Sequence, residues 1–228
     1  EVAAAHGVHA TFMPKPLEGV QGSGMHTHLS LFTGDENAFY DEADEYNLSP
    51  LAKSFMAGLL QHAAEITAIT NPTVNSYKRL VPGFEAPVHL SWARNNRSGL
   101  IRVPIPKRGN PLATRLEYRS PDPSCNPYLA FSLMLAAGLK GVRNGYELPV
   151  EADANLFELD DRALGKLGIG QLPQSLSEAL HVMERSELVH EALGEHIFEW
   201  YVRNKRREWM DYKTHVSQFE IDRYLGKL

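Results

Sequence analysis

The sequence predicts an α+β fold, with strands concentrated up to residue 119 and helices after residue 120. Short segments that alternate apolar and polar residues lie between residues 25 and 119, and a period of two is typical of strands. Most segments with apolar residues three and four positions apart lie later, as expected of helices. With 228 residues, 43% of them hydrophobic, the chain can bury one core. We expect a single domain over residues 1–228, strand-rich at 1–119 and helix-rich at 120–228.

The composition argues against several classes of protein. A single cysteine, Cys125, excludes an internal disulfide framework and fits a reducing compartment. The longest apolar run, residues 129–142, is too short to span a bilayer. A net charge of −5 and a pI near 6.1 argue against a dedicated nucleic-acid binder. The chain opens on EVAAAHGVHA, with neither a secretory signal nor an initiator Met. We therefore expect a cytoplasmic protein and a fragment or processed product of it.

The first part of the chain carries one candidate site. We expect the end of a helix at Val2–Ala5, a strand at residues 9–13 and a glycine-rich turn at 19–24. Residues 25–32, MHTHLSLF, alternate as a strand. Its polar face holds His26, His28 and Ser30. Two interpretations stay open for this face: ligands of a metal or a phosphate, or the solvated side of a half-buried strand.

A surface loop and a capped helix come next. Residues 33–46 are acidic and rich in turn formers, which indicates a solvated loop. Residues 47–70 predict a helix that Ser49 caps and Pro50 opens. Its apolar stripe consists of Leu51, Phe55, Leu59, Ala63 and Ile66. Residues 71–84 have no clean period, so we expect an ordered and functional loop there.

The stretch from residue 71 to residue 119 is unusually basic. Between Lys78 and Arg119 it contains nine basic and two acidic residues, a local excess of 9 − 2 = +7 in a chain of net charge −5. Arginine holds carboxylates and phosphates in two-point contacts. The stretch therefore predicts a site for a small, negatively charged molecule.

Three strands are expected within this basic stretch, at residues 87–93, 100–103 and 115–119. In the last of them, Arg115, Glu117 and Arg119 share one face. The arrangement is either a structural ladder of ion pairs or a site where glutamate holds a metal and arginine holds a neighbouring phosphate. Taken alone, the spacing favours the ladder.

Helices dominate the remainder of the chain. Asn126 caps and Pro127 opens a helix to residue 143 that is apolar nearly all round, so we expect it to be buried. Residues 144–174 are expected to be loops, and Ser175 begins a capping box that opens a helix to residue 185. A short helix at 186–193 ends at Gly194, before a last helix at 195–215. In that helix we expect an inward face formed by Ile197, Tyr201, Trp209 and Tyr212. We also expect a solvated charge run formed by Arg203, Lys205, Arg206 and Arg207.

Several long motifs, in order, resemble one known family. They are GSGMHTHLSLF at 22–32, NPTVNSYKRLVPGFEAP at 71–87, ARNNRSGLIRVP at 93–104 and RLEYRSPDPSCNPYLAF at 115–131. From residue 10 onward the chain resembles the carboxy-terminal catalytic domain of prokaryotic (type I) glutamine synthetase. The resemblance implies a mainly antiparallel, curved sheet flanked by helices, of the glutamine synthetase/guanido kinase-like type.

The resemblance also implies a reaction and roles for particular residues. ATP would phosphorylate the side-chain carboxylate of L-glutamate, and ammonia would then displace the phosphate, with Mg²⁺ or Mn²⁺ at the site. The metal residues implied are His26 and Glu117. The glutamate-binding residues implied are Gly22, Arg79, Glu85 and Arg119. The nucleotide-binding residues implied are His28, Ser30, Arg97 and Arg102. Glu85 and Arg97 are the implied catalytic residues, Glu85 on a flap that closes the site and takes a proton from ammonium.

The same resemblance implies small-molecule partners and a homo-oligomer, a dodecamer for the full-length parent, without nucleic acid or membrane. The family's amino-terminal domain and first catalytic strands, which supply further metal-binding glutamates, precede the matched region. We therefore expect the 228-residue chain alone to be inactive and its full-length parent to be active.

Two positions depart from the family pattern. Gln21 stands where the family often has asparagine, which affects the amino-acid contact. The run Asn155-Leu156-Phe157 stands where some members carry an adenylylated tyrosine, so we expect no adenylylation there, because phenylalanine has no hydroxyl.

Two alternatives remain beside glutamine synthesis. One is a γ-glutamyl-amine ligase of the same superfamily, which joins glutamate to an amine such as a polyamine. The other is a structural relative without catalysis. Seven matched residues occur together and disfavour the second alternative: His26, Arg79, Glu85, Arg97, Arg102, Glu117 and Arg119.

Overall fold

The computed structural model confirms the mixed α and β architecture; it describes residues 1–82, 86–94, 96, 98–105, 110–152 and 156–227. In this part of the chain the helices are α1 (Val2–Ala5), α2 (Pro50–Thr70), α3 (Ser76–Arg79), α4 (Pro127–Asn144), α5 (Asp161–Lys166), α6 (Leu176–Met183), α7 (Glu187–Thr214) and α8 (Gln218–Tyr224). The strands are β1 (Thr27–Leu29), β2 (Phe32–Thr33), β3 (Glu36–Asn37), β4 (His89–Ala93), β5 (Gly99–Arg102) and β6 (Leu116–Tyr118).

The main sheet has four strands in the order β1-β6-β5-β4. The β1–β6 and β6–β5 pairs are antiparallel and the β5–β4 pair is parallel. Strands β2 and β3 form a separate antiparallel pair. A mostly antiparallel sheet flanked by helices is thus confirmed. Each of the strands expected at 25–32, 87–93 and 115–119 contains a shorter strand of this sheet, and the strand expected at 100–103 is β5, shifted by one residue to Gly99–Arg102.

Helix α2 lies at the centre of the core. Its N-cap is Ser49, whose Oγ accepts a hydrogen bond from the backbone N–H of Ala52 at 3.1 Å, as the sequence predicts. The predicted stripe faces the interior, with four fully buried members, Phe55, Leu59, Ala63 and Ile66. The helix ends beside the turn at residues 120–122, where the backbone N–H of Asp122 donates to the carbonyl of Thr70. The core helix is therefore hydrogen-bonded to the turn that follows β6.

Helices α2 and α4 cross closely because both carry glycine at the crossing. A Cβ on Gly141 would stand 2.7 Å from the backbone Cα and N of Gly58 and closer still to the carbonyl of Ser54. Real Cβ atoms do not approach backbone so closely. The two glycines thus set the distance between the helices.

Five expectations about local structure were wrong or incomplete. Residues 9–13 form no strand, because they are exposed and no strand in the described part of the chain pairs with them. The expected loops at 71–84 and 144–174 contain α3 and α5, and the acidic loop at 33–46 contains β3 and the buried Phe39. Helix α8 was not expected at all. Short elements of this kind depend on tertiary contacts more than on local periodicity.

The expectation that α4 is buried was correct for one of its faces and wrong for the other. One face packs on α2, and Leu133 and Met134 are completely buried. The opposite face leaves Tyr128, Phe131 and Leu135 exposed, Tyr128 at 81%. Within the described residues, no helix combines the length and apolarity needed to cross a bilayer.

Helix α7 is interrupted at Gly194, where φ is 72°, so the predicted break between two helices is confirmed. The expected inward face is half correct. Tyr201 and Trp209 pack against the core, whereas Ile197 and Tyr212 are exposed. In the charge run, Arg206 forms a two-point ion pair with Glu184 and Lys205 pairs with Glu208.

Candidate active site

The candidate site lies on the sheet where β1, β6 and β5 run side by side. The register places His28 opposite Glu117 and Glu117 opposite Arg102. Exposure alternates along residues 25–31, so that His26, His28 and Ser30 are exposed and the residues between them are partly buried. The predicted polar face is therefore confirmed, and it adjoins the acid of β6.

Glu117 is the centre of this site. It is buried, with 5% of its surface exposed. Its Oε1 lies 3.1 Å from Nδ1 of His26 and its Oε2 accepts a hydrogen bond from Nε of Arg102. Burial by itself raises the pKa of this carboxyl, but the Arg102 hydrogen bond and the charges of Arg102, His26 and Arg119 outweigh burial and lower it. The carboxylate is therefore ionised at neutral pH.

His26 is suited to donate a lone pair. Its pKa is lowered, first by partial burial of the ring, since 36% of the side chain stays exposed, and then by the nearby charge of Arg119, although Glu117 acts in the opposite direction. The imidazole is consequently neutral near pH 7. His26 and Glu117 thus bring two metal-type donors together; among the described residues, no group of three or more His, Cys, Asp or Glu side chains could enclose a metal.

Arg79 reaches the same region from α3. Only 4% of it is exposed, and its Nη1 and Nη2 donate to the backbone carbonyls of Ser120 at 2.6 Å and Arg119 at 3.2 Å. Burial lowers its pKa to about 10, partly offset by the charge of Asp122, so the guanidinium remains charged at neutral pH. Two of its five N–H donors are used in these bonds, which leaves donors for an anion.

The glycine-rich turn packs directly on Arg79 and His26. A Cβ on Gly24 would stand 2.6 Å from Nη2 of Arg79 and 3.2 Å from Nε2 of His26. A Cβ on Gly22 would collide with the carbonyl of Pro14 and lie 3.2 Å from Cγ of Arg79. Gly22 was a candidate from the sequence, whereas Gly24 was missed because only the fold brings it against the arginine.

Arg119 completes the cluster behind Glu117. It is 5% exposed, its Nη1 donates to the carbonyl of Gly99 at 3.4 Å, and its Nε lies 4.0 Å from Oε1 of Glu117. Arg115, which the alternation places on the same face, is exposed instead. The site thus groups one acid with three arginines from α3, β5 and the end of β6.

Two predicted site residues, Glu85 and Arg97, lie outside the described residues. Asn155, at the position discussed for adenylylation, also lies outside them.

A surface groove of about 870 Å³ lies elsewhere, between α6 and α7, and none of the candidate residues lines it. Chemistry, rather than cavity size, identifies the site on the sheet.

Comparison with known proteins gives concordant results. The family model described as the glutamine synthetase catalytic domain matches residues 1–224. Glutamine synthetases of Thermotoga maritima and Mycolicibacterium smegmatis are 53% and 54% identical to this chain, over 98% and 99% of it. The glutamine synthetase of Methanosarcina mazei is 52% identical over the whole chain. The chain spans about half the length of these relatives, 50%, 51% and 50% respectively.

Solved structures agree with these sequence relatives. Apo GmaS without ligand has a TM-score of 0.84 and 37% identity, over 98% of this chain and 50% of that one. A GmaS/ADP complex has a TM-score of 0.86 and 38% identity, over 99% of this chain and 51% of that one.

Proposed function

The chain belongs to the family of the glutamine synthetase catalytic domain, and from that premise we propose that its full-length parent ligates ammonia to L-glutamate with ATP, through a γ-glutamyl phosphate. The observation that supports this most is the position of Glu117 between His26 and Arg102, with Arg119 beside it and Arg79 bonded to the backbone carbonyl of Arg119. Phosphoryl transfer needs fixed positive charge around the transferring oxygens, and this cluster provides it.

The carboxylate of Glu117 suits a hard divalent cation such as Mg²⁺ or Mn²⁺. A neutral imidazole and an ionised carboxylate, His26 and Glu117, meet at 3.1 Å and would hold it together with ligands from outside the described residues. When bound, the cation would neutralise charge on the phosphates of ATP. With or without the cation, Arg102 orients the carboxylate of Glu117 by a hydrogen bond, and the charge of Arg119 lies 4.0 Å from its Oε1.

The arginines divide between the two substrates in this proposal. Arg79 and Arg119, with the turn at Gly22, face the amino acid, and their charge orients its carboxylates. Arg102, on the rim and 37% exposed by its side chain, faces the nucleotide phosphates together with the exposed His28 and Ser30.

Glu85 and Arg97 complete the proposed machinery, although both lie outside the described residues. Glu85 would close the site as part of a flap and take a proton from ammonium, and closure would keep water away from the acyl phosphate. Arg97 would meet the phosphates. We extend the proposal to a single domain over residues 1–228, a homo-oligomeric parent and a cytoplasmic location.

A second acceptor is compatible with the same site. The proposal assigns described residues to glutamate and to the nucleotide but none to the amine, so a γ-glutamyl-amine ligase remains the alternative. The likeness to GmaS, at a TM-score of 0.86, shows that this fold is shared beyond the relatives named glutamine synthetase.

The deciding experiment measures ADP release by the full-length parent with L-glutamate, supplying either ammonium or polyamines. Glutamine formation with ammonium is expected, and turnover confined to an amine would favour the alternative. Glu85→Ala should reduce turnover while the fold remains intact; unchanged turnover would contradict the role of Glu85. The 228-residue chain assayed alone is expected to form no glutamine.

A further inference from the structure

The turn at residues 120–122 connects three parts of the candidate site. The carbonyl of Ser120 accepts Nη1 of Arg79 at 2.6 Å. The carbonyl of Pro121 accepts the backbone N–H of Met25 at 2.8 Å, next to His26. The turn therefore sets the positions of both a cation and a metal-type donor relative to β6.

Asn71, the residue that ends α2, holds this turn from behind. It is completely buried. Its Nδ2 donates to the carbonyl of Ser120 at 2.8 Å and to Oδ2 of Asp122 at 3.1 Å, and its Oδ1 accepts from the hydroxyl of Thr70 at 2.9 Å. The Asn71 side chain therefore uses both of its polar atoms inside the protein and is held in one orientation.

The carbonyl of Ser120 is the point where Asn71 and Arg79 meet. Both side chains donate to this single oxygen, Asn71 from α2 and Arg79 from α3. Asp122, which is also completely buried, fixes Asn71 and in addition accepts from the backbone N–H of Ser124 at 3.0 Å. If the turn moved, the Arg79 guanidinium would have to move with it. A buried charged donor that loses its acceptor costs free energy, so the hydrogen bond to Ser120 is kept.

We propose that Asn71, supported by Asp122, is a positioning residue for the amino-acid subsite and acts through the Ser120 carbonyl on Arg79. This inference rests on the proposed function, in which Arg79 binds L-glutamate. Asn71 does not touch the substrate; its contribution is the fixed direction of the guanidinium, on which a two-point contact with a carboxylate depends.

The test introduces Asn71→Ala into the full-length parent. If that variant folds poorly, Asp122→Asn replaces it, because asparagine keeps the shape of the aspartate side chain. The expected result is a rise of roughly tenfold in KM for L-glutamate, with kcat and the KM for ATP within about twofold. Thr67→Val is the matched control, since Thr67 is also fully buried in α2 and, among the described residues, its hydroxyl bonds only to the carbonyl of Ala63 in the same helix. It should leave both KM values unchanged.

A double-mutant cycle separates positioning from general stability. In an Arg79→Lys background, which removes the forked guanidinium, Asn71→Ala should raise the KM for L-glutamate little further. The inference would be overturned if the effects of Asn71→Ala and Arg79→Lys on the KM for L-glutamate were fully additive. It would also be overturned if folded Asn71→Ala and Asp122→Asn both kept the wild-type KM for L-glutamate. Neither result would affect the proposed function. A wild-type parent that neither binds L-glutamate nor forms glutamine would overturn the proposed function, and the inference with it.

Discussion

Replacing Gly24 by alanine would place a methyl group between Arg79 of the amino-acid subsite and the metal-type donor His26. The new Cβ would stand 2.6 Å from Nη2 of Arg79, where ordinary contact begins at 3.4 Å, so the guanidinium would have to move by 3.4 − 2.6 = 0.8 Å. Arg79 is 4% exposed and bonded to the carbonyls of Ser120 and Arg119, so this movement would strain or break charged hydrogen bonds. A misplacement of about 1 Å can cost about 100-fold in rate.

We therefore expect Gly24→Ala to lower kcat/KM for L-glutamate in the full-length parent by roughly 10- to 100-fold. The assay is initial-rate glutamine formation with L-glutamate varied at saturating ATP, together with the KM for ATP, which should change little. Gly165→Ala is the control, because a Cβ there meets nothing within 4 Å. A folded Gly24→Ala protein with wild-type kcat/KM for L-glutamate would refute the reasoning.

Three further predictions concern the core, the charge network and the metal donors. Gly141→Ala should lower the free energy of unfolding by about 1–3 kcal/mol, since its Cβ meets the backbone of Gly58 at 2.7 Å; an unchanged thermal midpoint would contradict the close crossing. Glu65→Gln should destabilise the protein at pH 7, because hydrogen bonds from His62 and Ser186 outweigh burial and lower the pKa of Glu65. That stabilisation is complete well above the ordinary pKa of 4.5 and is lost as pH falls below it. The free energies of unfolding of the wild type and Glu65→Gln, measured with urea, should therefore become equal in acid. A difference that stays constant with pH would contradict the assignment. Glu117→Gln should raise the Mg²⁺ concentration for half-maximal activity of the parent by about tenfold or more, and Mn²⁺ titration calorimetry should show the same loss; unchanged metal affinity would remove Glu117 from the metal site.

Much of the fold could be predicted because its signals are local. The side chain of Ser49, the ring of Pro50 and the buried stripe through Phe55 define α2 by residue type and spacing alone. Period-two alternation likewise located His26 and His28 on one exposed face. In contrast, α3 and α8 are short, and their existence depends on packing that no local period records.

The candidate site was predicted in its components but not in its connections. The alternation at residues 115–119 placed Glu117 and Arg119 on one face, and both interpretations, ladder and metal site, used the same spacing. The pairing of β1 with β6 brings His26 next to Glu117, which is 91 positions away in the sequence. Local residue spacing could not predict a contact over that separation. Asn71 and Gly24 were overlooked for the same reason.

The sequence by itself determined the kinds of residue available: an arginine-rich stretch in an acidic chain, two histidines on a strand face and an acid between arginines. Those properties follow from composition and periodicity, which are local. The tertiary structure alone decided which of them meet: Arg102 and His26 contact Glu117, Arg115 remains exposed, and Arg79 is buried under the turn at Gly24. Strand register and helix crossing make these choices, because both depend on the packing of segments far apart in the chain.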